Sequence, residues 1–172
     1  MDLKSKIRVI EDYPEEGISF KDITTLLKDR EAFRQAIDEL TKSIESYDFD
    51  YIVGIESRGF IFGAVLADRL NKGFIPIRKP GKLPGKTKKV SYDLEYGSSE
   101  LEMHEDSIKE GDKVIIIDDL IATGGSAKAA AELVESLGGQ VLAFEFLIEL
   151  TSLEGKAVLE DYDVISIVKY HH

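Results

Sequence analysis

Apolar residues along this chain follow two alternating rhythms. Across residues 29–47, Phe33, Ala36, Ile37, Leu40 and Ile44 recur at intervals of three and four, which predicts a helix that buries one stripe. The run Tyr51–Ile55 (YIVGI) is short, apolar and bounded by charge, so it predicts a buried strand, with a helix to follow over 60–70. Gly73–Ile77 predicts a second strand. Residues 114–117 are continuous and β-branched, as a strand covered on both faces requires. Behind them Ala127, Ala130, Ala131, Val134 and Leu137 form a helical stripe, and Gly138 is placed to end it. Residues 140–148 and 164–168 predict two more strands. Strands alternating with helices imply an α/β fold: a mainly parallel twisted sheet flanked by helices, with its ligand site at the carboxyl ends of the strands.

The other stretches break these rhythms. The first 28 residues are polar, with a short amphipathic start (Ile7, Ile10) and a turn at 13–17 (YPEEG), and predict an arm. Residues 78–89 (RKPGKLPGKTKK) hold two prolines, two glycines, six basic residues and no acidic one, which predicts a loop that attracts anions. Residues 90–96 and 100–103 predict a hairpin turning at Gly97, Ser98 and Ser99.

Composition narrows the class. At 172 residues the chain fits one domain, and its net charge of −11 argues against a nucleic-acid partner or an anionic membrane surface. It has no cysteine, hence no disulfide framework, and neither a signal-peptide pattern nor an apolar run of about 18 residues. A cytoplasmic enzyme is the expectation. The terminal His171 and His172, native or from a purification tag, are assigned no role.

Candidate chemistry concentrates in residues 114–126 (VIIIDDLIATGGS). An apolar strand leads into Asp118 and Asp119, then into Ala122, Thr123, Gly124, Gly125 and Ser126, which open a helix. Glycines let backbone N–H groups approach an anion, the two hydroxyls add donors, and a helix N-terminus favours negative charge. That turn is a candidate phosphate cradle. The paired aspartates accept hydrogen bonds only, which suits ribose hydroxyls or a hydrated Mg²⁺. Neither a P-loop spacing nor a dinucleotide-binding glycine pattern follows this strand.

Residues 114–126 resemble the phosphoribosyl-pyrophosphate motif of the type I phosphoribosyltransferases. Residues 17–23 (GISFKDI), 54–60 (GIESRGF), 78–85 (RKPGKLPG), 92–97 (YDLEYG) and 149–153 (ELTSL) narrow the resemblance to the adenine phosphoribosyltransferases, over nearly the whole chain and in order. The resemblance implies the type I phosphoribosyltransferase fold as a single domain over 1–172. Residues 29–149 would form the core, while 1–28 and about 150–172 would form a hood, with a flexible hairpin over the site. It implies a pentosyltransferase of purine salvage: ribose 5-phosphate passes from phosphoribosyl pyrophosphate to N9 of adenine, giving AMP and pyrophosphate, with Mg²⁺ as cofactor and a homodimer as the assembly.

Roles follow from the same resemblance. The 5-phosphate would lie on Ala122, Thr123, Gly124, Gly125 and Ser126, and the ribose hydroxyls on Asp118 and Asp119. Pyrophosphate would meet Ser57 and Arg58, assisted by Arg78, Lys79 and Lys82, partly from the neighbouring subunit. Glu95 would handle the adenine proton or polarise N7, with Arg58 the second catalytic residue and Tyr92 and Tyr96 of the hairpin helping to close the site. Adenine would contact Ser19, Phe20, Lys21 and Leu153. No direct protein ligand for Mg²⁺ is assigned; the donor would carry it, with water-mediated contact to Asp118 or Asp119. Lys21 stands where the family often has arginine, and Glu56 where other acidic residues occur. Two alternatives stay open: a phosphoribosyltransferase for another base, and a regulator that senses phosphoribosyl pyrophosphate without turnover.

Overall fold

In the computed structural model, which describes residues 1–94 and 97–171, the chain divides into two compact units, Met1–Glu39 and Leu40–His172. The first unit is more ordered than an arm. A 3-10 turn over Leu3–Lys6 is capped by Asp2, whose carboxylate accepts the Lys4 N–H at 3.1 Å. Strands β1 (Arg8–Glu11) and β2 (Ser19–Asp22) pair antiparallel, followed by a short helix α1 (Thr24–Lys28). Asp22 ties these parts together by accepting the Thr24 N–H at 2.9 Å and Arg8 Nε at 3.0 Å. Hydrogen bonds from the Thr24 backbone, from Arg8 and from the Thr24 hydroxyl hold its carboxyl down at about 2. Asp29 accepts the N–H groups of Glu31 and Ala32 and so caps α2 (Arg30–Ile44). The predicted stripe is real: Ala36, Ile37, Leu40 and Ile44 are buried and Phe33 is half-buried.

The second unit is built on one parallel sheet. In chain order it contains β3 (Tyr51–Ile55), α3 (Arg58–Leu70), β4 (Gly73–Ile77), β5 (Thr87–Leu94), β6 (Gly97–His104), β7 (Lys113–Ile121), α4 (Gly125–Ser136), β8 (Gln140–Leu150), α5 (Gly155–Val158) and β9 (Asp163–Tyr170). The order across the sheet is β4-β3-β7-β8-β9, and every neighbouring pair is parallel. Connections therefore leave β3 toward one edge and β7 toward the other. The crevice between the carboxyl ends of these two strands is the topological switch point, where such sheets bind ligands. Gly54 of β3 and Gly63 of α3 make room for the Phe74 ring of β4: a Cβ on either would come within 2.6 or 2.7 Å of it. Among the described residues, no helix is long and apolar enough to cross a membrane.

Strands β3 and β4 begin and end where the hydrophobic runs do, and Gly138 ends α4 in the left-handed region at φ +92°. Two expectations change. Strand β7 does not stop at Ile117 but continues through Asp118 and Asp119, because its ladder with β8 runs on to Ile121 opposite Glu149. The turn expected at Gly97, Ser98 and Ser99 is strand instead, with Leu94, Asp93 and Tyr92 as their partners, and β5 takes in Thr87, Lys88 and Lys89 from the expected loop. Small residues there mark the hairpin but not its register, which the ladder sets.

Candidate active site

The cradle forms where β7 hands over to α4. Gly124 has φ +89°, a backbone conformation suited to glycine, and Gly125 begins the helix. Ala122, Thr123, Gly124, Gly125 and Ser126 line a cavity of about 230 Å³, together with Tyr92 and Asp93 from β5 and Phe146 from β8. The turn is backed by the backbone of Gly155: a Cβ on Gly124 would lie 2.8 Å from the Gly155 carbonyl oxygen. Its amides belong to the first turn of a 12-residue helix, where N–H groups lack intrahelical partners and the dipole favours an anion.

One step earlier on β7 lie the two carboxylates. Asp119 is 7 % exposed, and its Oδ2 accepts Arg58 Nε at 2.6 Å; its own N–H donates to Asp118 Oδ1 at 2.8 Å. Burial pushes the Asp118 carboxyl well above the ordinary aspartate value, and the neighbouring Asp119 charge pushes it the same way. Gly59 permits this proximity of α3 and β7, since a Cβ there would sit 3.0 Å from Asp118 Oδ1. Arg58 and Asp119, 61 residues apart in sequence, thus meet across the β3–β7 crevice. Ser57 precedes Arg58 as the residue before α3, joined to Glu56 by a cis peptide.

The other candidate cations gather around Glu56. Its Oε1 accepts Arg78 Nε at 3.0 Å and the Lys79 N–H at 2.9 Å, and its Oε2 accepts Lys82 Nζ at 2.9 Å. Burial works to raise its carboxyl, but the bonds from Lys82, the Lys79 N–H and Arg78 outweigh this and hold it below the ordinary value. Lys79 also approaches the cradle side, with Nζ 3.3 Å from the Tyr92 hydroxyl.

Of the residues assigned to the base, Ser19, Phe20 and Lys21 lie on β2. Lys21 Nζ donates to Ser19 Oγ at 2.7 Å, Ser19 Oγ donates to Glu11 Oε1 at 3.0 Å, and Phe20 meets Tyr13 edge-on with centroids 5.2 Å apart. Leu153, in a 3-10 turn after β8, is 46 % exposed. Glu95 and Tyr96 lie outside the described residues, as does His172. Among the described residues there is no group of three or more His, Cys, Asp or Glu placed to hold a metal ion. Sequence reasoning gave Glu56, Phe74 and Gly155 no part in the site. The available signal for Glu56 is a lone carboxylate at the end of one strand in a chain where the neighbouring parallel strand, β4, ends in a strongly basic loop.

Comparison with known proteins agrees with this geometry. Residues 24–171 match the family model described as the phosphoribosyl transferase domain. The adenine phosphoribosyltransferase of Clostridium beijerinckii is 57 % identical over 170 residues, covering 99 % of both chains. The crystal structure of adenine phosphoribosyltransferase from Thermoanaerobacter pseudethanolicus superposes with a TM-score of 0.96 at 53 % identity, over 98 % of each chain. That of the Saccharomyces cerevisiae enzyme, complexed with an imino-altritol bisphosphate and adenine, superposes with a TM-score of 0.90 at 43 % identity, over 96 % of each. With a parallel sheet, a glycine turn at its switch point and these relatives, the chain belongs to the phosphoribosyltransferase family, on the branch of the adenine phosphoribosyltransferases.

Proposed function

We propose that this protein transfers the 5-phosphoribosyl group of phosphoribosyl pyrophosphate to N9 of adenine, forming AMP and pyrophosphate in purine salvage. The observation that carries the reading is the juxtaposition at one crevice of an anion cradle, two aspartate side chains and an arginine. The Saccharomyces cerevisiae relative bound to adenine supports the choice of base. Both units would act as one phosphoribosyltransferase domain, with residues 1–28 and the segment after β8 serving the base.

In this reading the cradle binds the 5-phosphate, and Asp118 and Asp119 accept the ribose hydroxyls. The C1′–O bond to pyrophosphate breaks as the C1′–N9 bond forms, so positive charge develops on the sugar while negative charge develops on the leaving group. Arg58, Ser57, Arg78, Lys79 and Lys82 face the second of these, where fixed donors lower the barrier most. The acceptor-only oxygens beside the cradle suit Mg²⁺ carried by the donor, which when bound would act as Lewis acid and template. Glu95 takes the adenine proton or polarises N7, and Tyr92 and Tyr96 shield the donor from water. A homodimer completes the cationic site; Ile61 and Val65, one helical turn apart on α3 and each 37 % exposed, offer an apolar contact for a second copy.

Turnover decides the reading. Incubated with phosphoribosyl pyrophosphate, Mg²⁺ and each base in turn, the protein should produce AMP and pyrophosphate from adenine in strong preference to other bases. Donor binding without turnover would identify a sensor, and preference for another base would reassign the enzyme. Glu95→Ala is expected to lower kcat about tenfold, the scale of one hydrogen bond to the base, with donor KM unchanged. Phe20→Ala should raise the adenine KM about tenfold through lost stacking and leave the donor KM alone. An equal rise for the donor would remove Phe20 from the base site.

A further inference from the structure

Glu56 stands apart from the residues that would touch substrate, yet it organises the cations that would. Its side chain is 8 % exposed, while those of Arg78 and Lys82 are 35 % and 50 % exposed. A buried carboxylate thus holds two cations that each keep a face in water. The loop has a second anchor: Arg78 exchanges backbone hydrogen bonds with Glu102 on β6, and the Glu102 carboxylate, 4 % exposed, lies 3.4 Å from the Gly81 N–H and 3.5 Å from Lys89 Nζ. Glu102 therefore fixes the loop's backbone without touching the Arg78 or Lys82 charge, whereas Glu56 touches both.

We propose that Glu56 is the counter-anion of the leaving-group site: it holds Arg78 and Lys82 when pyrophosphate is absent, yields them when it binds and takes them back as it departs. The proposal rests on the assignment of those cations to pyrophosphate made above. A polyanion brings more charge than one carboxylate, so it wins the exchange, but only by the difference. Arg78 meets Glu56 through Nε, with Nη1 at 3.5 Å from the Lys82 carbonyl oxygen and the guanidinium 5.9 Å from the Phe60 ring centroid, and Lys82 meets Glu56 through one of its three donors, so each keeps N–H groups to offer an incoming oxyanion. The Lys79 N–H keeps Glu56 satisfied during the exchange. A site made of cations without this competitor would hold its product too long.

The test is Glu56→Gln, which keeps the shape and the acceptor for Arg78 and the Lys79 N–H but removes the charge that holds Lys82. Product inhibition by pyrophosphate should tighten about fivefold, the scale of an exposed ion pair, and adenine KM should not move. The gain should shrink at high salt, where exposed charges are screened. Glu102→Gln is the control and should change pyrophosphate inhibition less than about twofold, by the same scale. Weaker or unchanged pyrophosphate binding in Glu56→Gln would overturn the proposal and leave Glu56 a scaffold. Equal tightening in both variants would overturn it in favour of a general field effect. Arg78→Ala and Lys82→Ala separate the two levels: if neither weakens pyrophosphate binding, the assignment of the cations fails, whatever Glu56 does. A misfolded variant cannot mimic the expected result, because loss of structure does not tighten a ligand.

Discussion

Replacing Gly124 by alanine is expected to lower kcat/KM for the phosphoribosyl donor about a hundredfold. Gly124 stands at φ +89°, where an L side chain costs about 1–2 kcal/mol. The new Cβ would lie 2.8 Å from the Gly155 carbonyl oxygen and 3.3 Å from its Cα, both backbone atoms that cannot swing aside. The turn must move, and its amides then point away from the 5-phosphate. Two charge-assisted hydrogen bonds lost at about 1.5 kcal/mol each give roughly two orders of magnitude. Gly125→Ala is the matched control. Its Cβ would meet only Tyr92 Cδ2, at an ordinary 3.6 Å, and alanine favours the helix that begins there, so kcat/KM should stay within about threefold. Steady-state kinetics on both variants decides; equal losses would mean that the helix terminus, not the Gly124 turn, holds the phosphate.

The contrast between these neighbours also marks what the sequence reveals. The cradle is legible because its parts are consecutive: strand, carboxylates, glycine turn and helix follow within 13 residues. Strands β3 and β4 were equally plain, since burial on both faces leaves an apolar run with polar ends. The apolar run predicts an end to strand β7 at Ile117 because Asp118 and Asp119 interrupt it, although a backbone ladder continues under polar side chains at the ligand edge of a sheet. The pairing within residues 1–28 left no hydrophobic signature, since Arg8, Val9 and Glu11 of β1 are exposed. The ion pairs of the site leave no local signal either. Arg58 finds Asp119 across 61 residues, and Glu56 finds Arg78 and Lys82 across 22 and 26, through a strand order that no local pattern encodes.

That strand order gives the ligand-free site its electrostatic character. Arg58 is paired with Asp119, and Arg78 and Lys82 with Glu56, so three of the four cations proposed for pyrophosphate already have carboxylate partners. On that proposal donor binding would exchange ion pairs rather than create them, which would moderate affinity and the cost of releasing a polyanionic product. The same exchange would hand Asp119 from Arg58 to a ribose hydroxyl as Arg58 turns to the leaving group, linking the two halves of the donor through one contact.

A carboxylate outside the lining of the cradle carries a large pH effect on the stability of the fold. Glu145 lies on β8, opposite Ile117 of β7 and Ile165 of β9; it is fully buried, and neither oxygen has a hydrogen-bond partner. Burial pushes its carboxyl up to about 9. The folded protein therefore keeps a proton on Glu145 through a range in which the unfolded chain has released it. Its ionisation opposes folding: the penalty is absent below the unfolded value of about 4.5, grows as pH rises, and is complete only above the folded value. Glu145→Gln has the same shape and no titration. Between about pH 5 and pH 8 the wild type should lose about 1.4 kcal/mol per pH unit relative to this variant, or about 4 kcal/mol in all, in urea unfolding. Turnover with adenine should be unaffected near neutrality, because the neutral acid and the amide pack alike and neither meets the site. Parallel stability profiles for the two proteins would show that Glu145 is ionised in the fold, and a buried anion would then require a partner supplied by rearrangement of β8 and its neighbours.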